Sequence, residues 1–128
     1  MQNNLTVLLC DDSVLIRKKL RSILEKCGCK NILEAENGVQ AVEQAKTHTP
    51  DVIFLDIVMP DKDGIEALKE IKQFKQDVKV IMASSVGTSN LLKEALENGA
   101  YDFIQKPITL EMVVNLIEKI LKEEGEYV

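Results

Sequence analysis

The sequence predicts a doubly wound α/β fold: a five-stranded parallel sheet with helices on both faces. Short apolar runs stop on acidic or polar residues at intervals along the chain, and between them apolar residues return at helical spacing. Strict alternation of these two patterns requires right-handed crossovers, which distribute the helices over both faces of the sheet. A flavodoxin-like strand order is the expected arrangement for five strands alternating with five helices. The 128 residues make one domain, spanning 1–128, and leave no room for a second folded unit of ordinary size.

Leu5-Thr6-Val7-Leu8-Leu9-Cys10 is an almost unbroken apolar run that ends at Asp11-Asp12, as in a strand buried on both faces. Ile16, Leu20, Ile23, Leu24 and Cys27 then mark one face of a first helix, with Arg17, Lys18, Lys19, Arg21 and Lys26 on the other side, until Gly28 ends the pattern. Asn31 to Ala35 reads as the second strand. Asn37-Gly38 opens a second helix through Val39, Val42 and Ala45, which Pro50 closes off. Asp51 to Asp56 repeats the first pattern, an apolar run ending on an acid. Ile65, Leu68 and Ile71 mark the third helix, Val78 to Ala83 the fourth strand, and Leu91, Leu92, Ala95 and Leu96 the fourth helix, with Gly99 as its cap. Tyr101 to Gln105 is the fifth strand. Thr109 is the expected N-cap of a long final helix carried by Val113, Leu116, Ile117, Ile120 and Leu121.

Composition narrows the function classes. Apolar residues at 45% and charged residues at 29% support a buried core with a wet surface, which excludes disordered and low-complexity classes. A net charge of −5 argues against nucleic acid as a direct partner. Apolar runs fall short of a membrane span, and the N-terminus lacks a secretory signal, so placement in the cytoplasm is expected. Cys10, Cys27 and Cys29 form no CxxC motif and read as reduced, structural thiols.

In an open α/β sheet, ligands bind beyond the carboxyl ends of the strands. The residues there are Asp11 and Asp12 after the first strand, Asp56 after the third, Ser84 and Ser85 after the fourth, and Lys106 after the fifth. Three carboxylates so placed repel one another unless a cation lies between them, and an all-oxygen donor set suits Mg2+. Lys106 would pair with Asp56 in the free protein and with phosphoryl oxygens when a phosphoryl group is attached. Asp56 can act as a metal ligand or as a carboxylate nucleophile toward phosphorus, and the surrounding Mg2+, ammonium and Ser84 hydroxyl favour the second role. Taken singly, each residue has a plainer reading: Asp11 or Asp12 as the N-cap of the first helix, Asp56 as an acid before the Met59-Pro60-Asp61 turn, Ser84 as a local hydrogen-bonding group, and Lys106-Pro107 as an ordinary turn. Their joint occurrence at successive strand ends carries the argument.

Taken together, four segments resemble the receiver domain of bacterial two-component response regulators, most closely the single-domain chemotaxis regulators of the CheY type. They are Val7 to Ser13, Asp56 to Pro60 with Asp63-Gly64, Val80 to Ser85, and Gly99 to Pro107. The resemblance implies a CheY-like (βα)5 fold with Asp56 as phospho-acceptor, Asp12 as a direct Mg2+ ligand and Asp11 as a ligand through water. It further implies that Val58 lends its backbone carbonyl to the metal, Ser84 occupies the hydroxyl switch position, Lys106 is the active-site lysine and Phe103 the aromatic switch. A cis Lys106-Pro107 peptide is expected on the same ground. The chain would be a signalling domain and no enzyme in the usual sense. A sensor histidine kinase or phosphotransfer domain would donate the phosphoryl group. A protein target would read the face made by the fourth helix, fifth strand and final helix, with the receiver a monomer or weak dimer.

Three positions depart from the family pattern: Cys10 where an aliphatic residue is commoner, Ser85 in place of a common Ala, and Phe103 in place of a hydroxyl-bearing Tyr. Val58 and Val86 would flank the acceptor, where polar side chains could have positioned a hydrolytic water, so a long-lived acyl phosphate is expected. Leu15, off the buried stripe beside Lys18 and Lys19, is a candidate contact for the phospho-donor. A dehalogenase-type phosphatase would need a second Asp at position 58, where Val stands, and a flavodoxin would need a Ser/Thr/Gly-rich loop after the first strand. Within the receiver reading, a phosphate sink or relay intermediate, or a domain cut from a longer regulator, is the alternative to an output switch. The chain ends at Glu126-Tyr127-Val128, with no output domain expected.

Overall fold

The computed structural model describes residues 3–85 and 89–124. Among these residues ten elements alternate: β1 (Asn3–Cys10), α1 (Val14–Lys26), β2 (Cys29–Ala35), α2 (Gly38–His48), β3 (Val52–Asp56), α3 (Gly64–Phe74), β4 (Lys79–Ser84), α4 (Ser89–Glu97), β5 (Asp102–Gln105) and α5 (Leu110–Glu123). The strands form one parallel sheet in the order β2-β1-β3-β4-β5. That is the expected flavodoxin-like order, with the direction of winding reversing between β1 and β3. Val86 and the terminal Glu126-Tyr127-Val128 lie outside the described residues.

The unbroken apolar character of the central strands follows from burial on both sides. Leu5, Val7 and Leu9 of β1 pack with Phe54 of β3, against α1 and α5 through Leu20, Leu24, Val113, Ile117 and Ile120. The intervening Leu8 and Cys10 point the other way, with Ile53 and Leu55, onto Val42, Leu68, Ile71 and Ala95 of α2, α3 and α4. Each large side chain buried in these layers stabilises the fold by about 1.5–3 kcal/mol.

The helix starts are set by side chains that accept otherwise unpaired backbone N–H groups. Asn37 Oδ1 accepts from Gln40 at 2.8 Å, Asp63 Oδ1 from Glu66 at 2.9 Å, and Thr109 Oγ1 from Met112 at 3.3 Å. For α1 the cap is Ser13, whose Oγ accepts from Ile16 at 3.3 Å. Neither Asp11 nor Asp12 serves as that cap, because α1 begins two residues after Asp12 and leaves both carboxylates at the sheet edge. Gly28 ends the α1 connection at a φ of 88°, a backbone state that costs glycine little.

The strand boundaries move slightly from expectation. β1 and β2 each begin two residues earlier than the apolar runs indicate, since Asn3 pairs with Cys29 across the sheet edge. β4 is shifted one residue later and ends on Ser84, and β5 begins at Asp102. The Lys106-Pro107 peptide is cis, as expected.

Candidate functional site

Parallel pairing aligns the strand ends. β1 and β3 run in register from Val7 with Val52 to Cys10 with Leu55, and β3 with β4 as far as Asp56 with Ala83. Asp11 and Asp56 therefore emerge side by side at the carboxyl edge, and the turn before α1 adds Asp12. One carboxylate oxygen from each of Asp11, Asp12 and Asp56 lies within 4.8 Å of the others. Asp11 and Asp56 are buried, whereas Asp12 is exposed.

Lys106 crosses from the end of β5 into this cluster. Its Nζ donates to Asp11 Oδ2 at 2.7 Å and stands 3.5 Å from Asp56 Oδ2. The expected pairing of Lys106 with Asp56 is present, and the ammonium also bonds Asp11, at the shorter distance. Burial works to lower the Lys106 ammonium's pKa, but the two carboxylates outweigh it and hold the group above its ordinary value. Asp56 is pushed up from an ordinary 3.8 to about 6, by burial first and by the charge of Asp11 second. The Lys106 ammonium and the Val58 backbone N–H, which donates to the carboxylate, oppose that rise without cancelling it. The site therefore carries more negative charge than its own lysine neutralises.

Asp11 is held at every polar atom. Its backbone N–H donates to the Ala35 carbonyl at 3.1 Å, its carbonyl accepts from Arg17 Nη1 at 2.6 Å, and its Oδ1 accepts from the Ser13 N–H at 2.9 Å. Asp56 owes its place in part to Gly64. The Gly64 N–H donates to the Ile57 carbonyl at 2.7 Å, and a Cβ at Gly64 would overlap the Asp56 carbonyl oxygen. Only glycine lets the start of α3 approach the end of β3 so closely.

Ser84 closes β4 as a buried residue, its carbonyl accepting from the Lys106 N–H at 2.9 Å. Phe103 lies one strand away, half-buried against the core layer of α2, α3 and α4. Val58 is 62% exposed, its side chain largely in solvent. Leu15 is 78% exposed, in keeping with its place off the buried stripe. The three cysteines are free thiols, and burial raises each pKa.

The donor set fits a hard divalent cation: all the ligating atoms are oxygens, their charge exceeds that of Lys106, and an exposed carboxylate leaves an open approach. Most of the chain is similar to known proteins. Residues 7–118 match the response regulator receiver domain family. The chain belongs to that family. As a receiver it is a signalling domain of two-component systems. It is 44% identical over 115 residues to the chemotaxis protein CheY of Bacillus subtilis, covering 90% of this chain and 96% of that protein. Against CheY of Halobacterium salinarum it is 45% identical over 115 residues, 90% of this chain and 95% of the relative. Among solved structures it superposes on the complex of CheX and CheY with BeF3 and Mg2+ from Borrelia burgdorferi with a TM-score of 0.87 at 37% identity, covering 91% of this chain and 89% of that one. On the response regulator domain of Thermotoga maritima CheB the TM-score is 0.81 at 40% identity, covering 96% and 98%. Among the described residues, no helix of this receiver is long and apolar enough to cross a membrane.

One group beside the site escaped the sequence reading. Arg17 and Arg21, placed there on the polar side of α1, both turn onto Glu34 of β2, at 2.9 and 2.7 Å, and the Arg17 side chain is only 11% exposed. Burial alone would raise the Glu34 carboxyl, yet the two guanidiniums outweigh it and hold its pKa below the ordinary range. A lone acid inside the apolar run Ile32-Leu33-Glu34-Ala35, opposite two arginines four residues apart, was the available signal.

Proposed function

We propose that this receiver accepts a phosphoryl group on Asp56 in a Mg2+-dependent reaction and signals through its α4, β5 and α5 face in cytoplasmic, chemotaxis-type two-component signalling. The observation that carries this reading is the convergence of Asp11, Asp12 and Asp56 within 4.8 Å, with the Lys106 ammonium in contact with two of them. The donor is a phosphohistidine of a sensor kinase or phosphotransfer domain. An Asp56 carboxylate oxygen forms the new O–P bond as the N–P bond of the donor breaks, and the imidazole departs with the bonding pair.

Asp12 and Asp56 would hold the ion directly, with the Val58 carbonyl beside them. Both carboxylate oxygens of Asp11 already accept hydrogen bonds, which suits a ligand acting through water. When bound, Mg2+ supplies positive charge at the phosphoryl oxygens. Lys106 would contact the same oxygens, released in part from its acidic partners as charge moves onto phosphorus. Ser84, at the end of β4, supplies a hydroxyl to the phosphoryl group, and the space it leaves is taken by Phe103. This coupling favours one of two conformers of the α4, β5 and α5 face, which the protein target distinguishes. Beside the acceptor, Val58 offers nothing to orient a hydrolytic water, which supports a long-lived acyl phosphate.

Intact mass after incubation with Mg2+ and acetyl phosphate tests the proposal. One phosphoryl adduct is expected on the wild type and none on Asp56→Ala, with adduct formation abolished by chelation. An adduct that survives in Asp56→Ala overturns the assignment of the acceptor. In the same spectra, an adduct lost as fast as it forms would overturn the long lifetime.

A further inference from the structure

The chain from Glu34 through Arg17 to Asp11 links the outer strand of the sheet to the acid cluster. Resting on the metal-binding reading above, we infer that Arg17 is a positioning residue for that cluster, setting the peptide from which Asp11 and Asp12 project. Its guanidinium is itself fixed: Nε donates to Glu34 Oε1 at 2.9 Å while Nη1 donates to the Asp11 carbonyl at 2.6 Å. The planar fork presents both bonds at once, a geometry that the single ammonium of a lysine cannot reproduce. Glu34 is anchored in turn by Arg21, which donates to Glu34 Oε2 at 2.7 Å and to the Ile32 carbonyl at 3.2 Å.

Asp11 needs such an anchor. It stands between the last residue of β1 and the cap of α1, and its carbonyl is the one polar atom that neither the sheet, Ser13 nor Lys106 engages. With that carbonyl held, the Asp11-Asp12 peptide cannot rotate, and the exposed Asp12 carboxylate stays directed toward Asp56. Arg17 touches no reacting atom, so its action runs wholly through this peptide.

Charge and positioning make opposite predictions for Arg17. Removing a cation from beside three carboxylates, by charge alone, strengthens Mg2+ binding. Removing a group that orients ligands weakens it, and the loss of such outer partners typically costs about 10-fold or more in metal affinity. Arg21 is the control, since it shares Glu34 but has no bond to Asp11.

The test is Mg2+ titration followed by amide chemical shifts of Asp11, Asp12 and Ser13, with thermal unfolding in parallel, on wild type, Arg17→Ala, Arg17→Lys and Arg21→Ala. Positioning predicts a Kd raised about 10-fold in Arg17→Ala, incompletely restored by Arg17→Lys, and within about 2-fold of wild type in Arg21→Ala even where both alanine variants lose stability. Unchanged or tighter binding in Arg17→Ala overturns the inference, as does equal weakening in Arg17→Ala and Arg21→Ala. Full restoration by Arg17→Lys also overturns it, because a point charge would then suffice. Failure of the wild type to bind Mg2+ would instead sink the metal-binding reading, and this inference with it. Should Arg17→Ala not fold, the contrast between Arg17→Lys and Arg21→Ala decides.

Discussion

Two aspartates bracket β3, and the fold uses them in opposite ways. Asp51, just before the strand, has its Oδ2 bonded by the Thr6 N–H at 2.9 Å, while its own N–H and carbonyl join Thr6 and Lys79 at 2.9 and 3.0 Å. It ties the entry of β3 to both neighbouring strands, with no second carboxylate beside it in that set of bonds. Asp56, at the other end, is buried against Asp11 with a single ammonium shared between them. The two carboxylates differ in burial and in neighbours, and that difference makes one a fastener and leaves the other with its charge opposed by its surroundings.

Four substitutions or additions sharpen this contrast, from the largest effect down. Gly64→Ala drives a methyl into the Asp56 carbonyl and is expected to destabilise by about 2–3 kcal/mol and to reduce phosphoryl labelling, as read by denaturant unfolding and intact mass. Next, Mg2+ at about 100 times its Kd should stabilise the wild type by about 2.7 kcal/mol. Asp51→Ala should retain that increment and Asp56→Asn lose most of it; no increment in the wild type would remove the metal from the account.

The third prediction concerns pH in the absence of metal. Asp56 binds its proton more tightly folded than unfolded, so folding stability falls as pH rises from near 3.8 through about 6, and the cost of ionising the buried group is fully present above that. Asp56→Asn should therefore stabilise the metal-free protein by about 2 kcal/mol at pH 7.5, with the gain vanishing toward pH 4. A gain independent of pH would show that the charge is not its source. The smallest effect is at the other end: Asp51→Ala should destabilise by about 1 kcal/mol, because it leaves the Thr6 N–H without its acceptor. Loss of stability at one end of the strand and gain at the other, from removal of the same charge, is the sharpest form of the comparison.

Which of these features the sequence announces depends on how local their causes are. The strands were legible because burial on both faces leaves unbroken apolar runs, and α5 because Thr109 and the stripe from Val113 to Leu121 lie within one helix. The acid cluster was legible as well, since a doubly wound sheet brings the carboxyl ends of its strands to one edge whatever the details. The pairing of Lys106 with Asp56 was legible too, but its shorter bond to Asp11 was not. Whether Lys106 bonds nearer to Asp11 or to Asp56 turns on less than 1 Å at the end of a flexible side chain. The start of β2 at Cys29 was hidden because Asn3, a polar residue outside the apolar run, supplies its partner. Arg17 was read as part of a wet helical face because its acceptors, Glu34 and the Asp11 carbonyl, belong to other elements.

The span between Asp11 and Lys106 has a consequence for the order in which this molecule is made. The two partners are 95 positions apart, so during synthesis all three acids are produced long before the lysine that bridges two of them. A chain grown only through β3 carries three carboxylates destined for one edge and no ammonium to join them. Closing so distant a pair is entropically slow, and it comes after the local helices have formed. The bridge between Asp11 and Asp56 therefore arrives only after the last strand, and a nascent or truncated chain lacking β5 would bring its acids to one edge without the ammonium that joins two of them.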